Sequence, residues 1–190
     1  MIWPVHQSAD CLEDGEVSLR RYNPTCASEL FEALNDERVW EHIPRSMPRD
    51  SDEVNADILA RMAEGRWITY AIRAAGVVVG RSSLIWDPSA PDGVEIGGTQ
   101  LSPVVWGTGV NMRAKRMLIT AVFDQGAEWV TFRTDERNAR SAAAIGKLGA
   151  TDLGVHPDTF VRRDGSVRRS RFFRLERPGS RRRSTAEGSR

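Results

Sequence analysis

Residues 101–111 read LSPVVWGTGVN, from Leu101 to Asn111. The pattern predicts that a strand ends here, a turn holds Gly107 and Gly109, and a helix begins at once. The first turn of a helix carries four backbone N–H groups without partners inside the helix, at the positive end of its dipole. Glycines let a bulky anion approach those groups with no Cβ in the way, so the segment reads as a pyrophosphate cradle. The same two glycines also suit a plain tight turn, and their spacing alone does not separate the readings. A P-loop fits poorly, because no Lys-Ser/Thr pair follows the glycines. A Rossmann site also fits poorly, because Met112 stands where the third glycine belongs.

Downstream, Met112, Lys115, Arg116, Leu118, Ile119, Val122 and Phe123 set a long helical stripe that Gly126 stops. Trp129 to Thr134 reads as a strand, Ser141 to Leu148 as a short helix closed by Gly149, and 153–162 and 167–175 as two strands around the Asp164-Gly165 turn. Upstream, Val94 to Leu101 is a strand. Strand 94–101, helix 109–125 and strand 129–134 therefore form a βαβ crossover, which makes two parallel neighbours.

Earlier still, Val17 to Arg21 alternates like a strand, and Asn23-Pro24-Thr25 opens a helix that runs to Leu34. Residues 37–48 read as a loop or short helical turn. Asp50 or Ser51 caps a second helix that Gly65 ends. Trp67 to Arg73 and Val77 to Ile85 form a hairpin around Ala74-Ala75-Gly76. Residues 1–14 show no period and read as an arm. The expected fold is a single α/β (α+β) domain over residues 1–176. It has one mixed, mostly antiparallel twisted sheet, helices on both faces and a central parallel βαβ unit.

The 190 residues are 40% hydrophobic and 28% charged, with a formal net charge of +1, the balance of a globular domain. No overall charge argues for nucleic acid. The exception is residues 177–190, with five arginines against one glutamate. They read as a disordered tail. Cys11 and Cys26 lack metal-ligand spacing and read as free thiols of a reducing compartment. There is no signal-peptide pattern and no apolar span of the ~20 residues a bilayer needs. No metal and no membrane partner are expected, and the location expected by elimination is cytoplasmic.

Taken together, these segments resemble the GNAT superfamily of N-acetyltransferases. That family carries a Q/R-x-x-G-x-G/A motif between its fourth strand and third helix; here Val104 to Gly109 occupies it, with Val104 in place of Gln or Arg. Glu95 to Pro103, EIGGTQLSP, looks like the EIGWTWLxP run of the RimJ/RimL-like branch, which acetylates ribosomal-protein N-termini. GTGVN followed by Ala114-Lys115 looks like its GTGxNxEAK. Thr134-Asp135, Asn138, Arg140-Ser141, Ala144-Ile145 and Leu148-Gly149-Ala150 look like its TDxxNxRSxxAIxxLGA. Asp164-Gly165 with Arg168 looks like its DGxxRD hairpin, with Arg169 replacing the acid.

The resemblance implies acetyl-coenzyme A as cofactor and direct attack of an amine on the thioester. Main-chain groups of Gln100, Leu101 and Ser102 would pair with the pantetheine. The backbone of Trp106, Gly107, Thr108, Gly109 and Val110 would hold the pyrophosphate, with Asn111 adding a side-chain contact. Asn138 either bonds the cofactor arm or simply caps its helix. Glu95 is the candidate general base, a role that partial desolvation favours. The tyrosine many relatives use as general acid falls here on Ile145, so Ser141 or water would serve the thiolate. His42 and Trp40 would rim the acceptor cleft, while His6 and His156 read as surface residues. Gly98 and Gln100, replacing two tryptophans of the branch, suggest a wider or more polar acceptor pocket. The acceptor is a peptide N-terminus or a small-molecule amine, and a homodimer is expected from the family. Two other readings are an acyl-coenzyme A sensor or scaffold without catalysis, and a ribosome- or RNA-associated module using the arginine-rich tail.

Overall fold

The computed structural model describes residues 1, 3–5 and 9–179. His6 and most of the arginine-rich tail lie outside them. Eight strands form one sheet in the order β1-β2-β3-β4-β5-β6-β8-β7. They are β1 (Cys11–Asp14), β2 (Val17–Arg21), β3 (Trp67–Ala74), β4 (Val77–Trp86), β5 (Gly93–Leu101), β6 (Trp129–Asp135), β7 (Thr151–Val161) and β8 (Val167–Glu176). Every neighbouring pair is antiparallel except β5 and β6. The α/β fold with one parallel βαβ unit is therefore as the sequence predicts.

Five α-helices flank the sheet: α1 (Ala27–Leu34), α2 (Glu37–Trp40), α3 (Ser51–Ala63), α4 (Val110–Asp124) and α5 (Ala139–Gly146). One face buries Leu19, Tyr70, Leu84, Ile96 and Phe132 against Ala114, Leu118 and Val122 of α4. The other buries Ala71 and Val78 against Leu30 and Leu34 of α1 and Val54 and Ile58 of α3. Alternation along each strand sends successive side chains to these two cores.

Two short elements set the numbering, and one of them differs from the sequence reading. Residues 11–14 are a strand, not part of an arm: β1 is a mostly exposed edge strand held by its ladder to β2. Without a buried face it shows no alternation. The short helical turn allowed for within 37–48 is α2, capped by the Asp36 carboxylate accepting from Arg38 N–H at 3.0 Å. The strand and helix that flank the glycine turn are thus the fifth strand and fourth helix.

The centre of the sheet is packed to backbone contact. A Cβ built on Gly80 of β4 would lie 2.1 Å from the Gln100 carbonyl oxygen and 2.9 Å from Leu101 Cα on β5. Backbone cannot yield as a side chain can, so Gly80→Ala must push β4 and β5 apart. The expected cost is about 2–4 kcal/mol, measured as a lower urea midpoint with an unchanged slope.

Candidate functional site

The register between β5 and β6 covers Gly93–Glu95 against Trp129–Thr131 and stops there. Beyond Glu95, β5 continues along β4 to Leu101, while β6 continues along β8 to Asp135. The two parallel neighbours therefore part, opening a wedge in the middle of the sheet. The β4–β5 register shifts between Arg81 and Ser83, and Gly98 opposite has φ 58°. Such a bulge bends its strand, here within the part of β5 that has left β6.

Lys115 of α4 fills the point of parting. It is buried, and its Nζ donates to the Ile96 carbonyl and Ser82 Oγ at 3.4 Å each, and to Thr99 Oγ1. Ile96 is the first residue past the last paired position of β5. The lysine thus gives its carbonyl a partner and ties α4, β4 and β5 together. Burial pulls the ammonium down to about 7, against the pull of the Glu95 carboxylate.

Farther along the wedge, the ladder divides the three residues expected to meet the pantetheine. Ser102 N–H donates to the Val79 carbonyl at 2.8 Å, so its main chain turns to β4. By antiparallel alternation Gln100, paired with Arg81, does the same, and Leu101 turns its main chain into the wedge. The Leu101 carbonyl accepts from Trp106 Nε1 at 2.9 Å, which leaves its N–H as the outward donor. Trp106 is itself braced by Arg140, whose guanidinium lies 3.5 Å from the ring centroid, and by Arg38 at 5.8 Å.

The glycine turn leads directly into α4. Gly107 and Gly109 have φ 79° and 89°, and a Cβ on either would meet nothing within 4 Å. Gly109 is the N-cap and supplies no side-chain hydrogen bond. The first bond of the helix runs from Arg113 N–H to the Gly109 carbonyl, so the N–H groups of Val110, Asn111 and Met112 have no partner within it. By contrast α3 and α5 are capped by Asp50 and Asn138. Asn111 Oδ1 is buried without a hydrogen-bond partner. Open glycines, uncapped N–H groups and unpaired strand edge fit a long phosphorylated ligand. Val104, where the family motif has Gln or Arg, is 81% exposed and offers no polar group.

Glu95 lies on the face opposite α4, where the strands are still paired. Its side chain is 23% exposed, and Oε1 stands 3.6 Å from Arg133 Nε. Desolvation raises its carboxyl above the ordinary 4.5, against the opposing charges of Arg133, Lys115 and Arg168. Arg133 also meets Asp158 at 3.6 Å, and Asp158 accepts from Ser170 Oγ. Arg168 lies 3.8 Å from Asp158 and 3.9 Å from Asp135, and Arg162 donates to both oxygens of Asp135. A chain of ion pairs thus fixes the β7–β8 hairpin to the end of β6 beside Glu95. Asp135 and Arg168, quoted above only as motif positions, are its anchors.

The remaining expectations divide. Asn138 Oδ1 accepts from Ser141 N–H at 2.9 Å, so the capping role is realised. Ile145 is buried in the α4-side core and offers no proton. His42 lines a cleft of about 250 Å³ together with Glu41, Pro44, Asp135, Arg162 and Asp164, which joins the 41–44 segment to the β7–β8 hairpin. The extra room expected at Gly98 is bordered by the Trp67 ring, whose Cζ3 would lie at an ordinary contact distance of 3.7 Å from a Cβ built there. The more polar surroundings do appear at Gln100, whose Oε1 accepts from buried Arg81 at 2.9 Å. Sequence reading placed Lys115 only in a helical stripe and a motif, and did not single out Arg81 or Arg133. A lysine within an apolar stripe was the one available signal.

Comparison with known proteins follows the same lines. The sequence model of the family described as "Acetyltransferase (GNAT) domain" matches residues 16–151. No curated protein sequence matches the chain. Among solved structures, a putative acetyltransferase from T. thermophilus is similar, at 26% identity and a TM-score of 0.79, covering 92% of both chains. An acetyltransferase of Salmonella typhimurium that modifies the N-terminal serine of ribosomal protein L7/L12 is similar in fold. It has 15% identity and a TM-score of 0.75, with 86% of this chain and 96% of that one covered. So is the microcin C7 self-immunity acetyltransferase MccE, solved with acetyl-CoA and AMP, at 19% identity and a TM-score of 0.75, with 92% and 97% covered.

The buried lysine makes stability depend on pH. Its folded value of about 7 lies below the ordinary 10.5, so between them the unfolded chain holds a proton that the folded chain does not. Stability contributed by this group therefore rises with pH across that window. Relative to Lys115→Met, the protein gains about 1.4 kcal/mol per pH unit, read by urea unfolding at pH 7, 8 and 9. Parallel curves for the two proteins would show that the buried ammonium keeps its charge.

Proposed function

Because this chain belongs to the GNAT acetyltransferase domain family, we propose that it carries the acetyl group of acetyl-coenzyme A to a protein N-terminal α-amine in the cytoplasm. Acetyl transfer to an amine is the family's activity. The observation that carries the reading here is the parting of β5 and β6 after Glu95 and Thr131. One wedge then has a helix N-terminus at its far end and a half-buried carboxylate at its near end. The choice of an N-terminal α-amine over a small-molecule amine rests on the RimJ/RimL-like motifs.

Acetyl-coenzyme A supplies an activated thioester. The N–H groups at the start of α4 and the backbone of Trp106 to Val110 hold its pyrophosphate, with Asn111 Oδ1 free to take a donor from the ligand. Leu101 N–H pairs with the pantetheine arm as a neighbouring strand would. Gln100 and Ser102 flank it with their main chains turned to β4. Arg140, stacked on Trp106, adds positive charge beside the cradle, while Arg38 on the same ring is paired with Asp36. Glu95 takes a proton from the acceptor ammonium, directly or through water, and frees the amine lone pair for attack. Its raised pKa makes it a better proton acceptor than a solvated carboxylate. Ser141, half-buried in the first turn of α5, or a water serves the departing thiolate.

Two measurements test this. Acetyl-coenzyme A at about a hundred times its Kd adds roughly 2.7 kcal/mol of stability. Unfolding is therefore expected several degrees higher with it and unmoved by ATP or NAD; no shift would count against the wedge as its site. Glu95→Gln is expected to lower kcat about 100-fold with little change in acetyl-coenzyme A affinity. A base must be unprotonated, so wild-type activity is lost as pH falls through the raised Glu95 value, and the variant lacks that acid limb. An unchanged profile would remove Glu95 from the chemistry.

A further inference from the structure

The face of β4 and β5 that carries Glu95 continues to a second charged cluster. The registers stack cross-strand rows on that face: Trp67, Ile85 and Glu95; then Thr69, Ser83 and Gly97; then Ala71, Arg81 and Gln100. Ile85 and Arg81 are four residues apart on β4, which at about 3.3 Å per residue sets the first and third rows about 13 Å apart. Between them Gly97 and Gly98 place no side chain on the face.

At the third row Asp57 of α3 meets three guanidiniums. Arg81 reaches its Oδ2 at 3.4 Å, Arg61 its Oδ1 at 3.2 Å, and Arg45 contacts Oδ1 as well. Three positive charges on one carboxylate leave an excess of two. Arg81 and Arg45 also line a cavity of about 180 Å³ walled by Leu34, Trp40, Met47 and Val54. Glu53, a further lining residue, is already paired with Arg49. Burial pulls the Arg81 guanidinium down to about 10 and lowers Arg45 too, the mark of cations short of counter-charge. Behind Arg81, the Gln100 side-chain amide Nε2 is buried with no hydrogen-bond partner. Arg61 links the cluster back along the face, with its guanidinium 4.8 Å from the Trp67 ring centroid.

We infer that the Arg45–Arg61–Arg81 cluster is an acceptor subsite that binds a carboxylate about 13 Å from the reacting amine. This rests on the reading of Glu95 as the base. An extended peptide advances about 3.3–3.6 Å per residue, so the carboxylate belongs to an acidic side chain near the fourth residue of a peptide acceptor. A free amino acid is too short to reach both places. Guanidinium forks suit a carboxylate geometrically, and the apolar walls strengthen the pairing by excluding water.

The test is calorimetric titration of two C-terminally amidated peptides into the protein saturated with coenzyme A, Ala-Ala-Gly-Glu-Ala and the same peptide with Gln at position four. The acidic peptide is expected to bind roughly tenfold more tightly. Arg45→Gln, on a partly exposed segment, leaves an excess of one charge and is expected to shrink the preference several-fold, with little change for the amidated Gln peptide. Equal binding of the two peptides, binding of neither, or a preference undiminished in Arg45→Gln would overturn the subsite. Turnover is measured separately with acetyl-coenzyme A. Selective binding without acetylation of either peptide would keep the anion subsite and reject the transferase reading. Acetylation of both at equal affinity would do the reverse.

Discussion

The structure depends on one interruption: two parallel strands that hydrogen-bond over three residues and then separate. A sheet interior normally satisfies every backbone group by continuing its ladder. Here β5 keeps β4 and β6 keeps β8, so each strand retains a partner on one side only. The cost falls on the inner edges, and the molecule meets it locally. Lys115 takes the Ile96 carbonyl, the Trp106 indole takes the Leu101 carbonyl, and the remaining inner edge is left for a ligand that resembles a strand.

Charge is distributed around this opening by the same logic of burial and compensation. The helix dipole and uncapped N–H groups make the far end of the wedge positive without a buried side-chain cation. At the near end a carboxylate and a lysine are both desolvated, on opposite faces of the same strand. The ion-pair chain from Glu95 through Arg133, Asp158, Arg168 and Asp135 to Arg162 adds little net stability for its desolvation. What it does fix is where the β7–β8 hairpin sits relative to Glu95. The Arg45–Arg61–Arg81 cluster differs, because its charges do not balance.

Much of this was legible in the amino-acid order. The glycine turn, the α3 cap at Asp50 and the Asp164-Gly165 hairpin turn depend on residues within a few positions of one another, and the βαβ unit follows from the order of three such segments. The sequence reading missed β1, because an exposed edge strand has no alternation to read. At Gly98 a missing side chain does not reveal that the Trp67 ring, from another strand, borders the position. It named Gln100, Leu101 and Ser102 together, because only the ladder to Val79 tells which of three consecutive residues faces the wedge.

By itself, then, the sequence determined the fold class and the glycine turn that opens α4, since backbone φ and helix capping are properties of short contiguous segments. Tertiary structure alone decided where the strands part, what Lys115 bonds, which charges surround Glu95, and that Arg45, Arg61 and Arg81 converge on Asp57. Those contacts join residues from separate strands, helices and loops. Their distances are set by register and packing, and no local pattern of residue types encodes either.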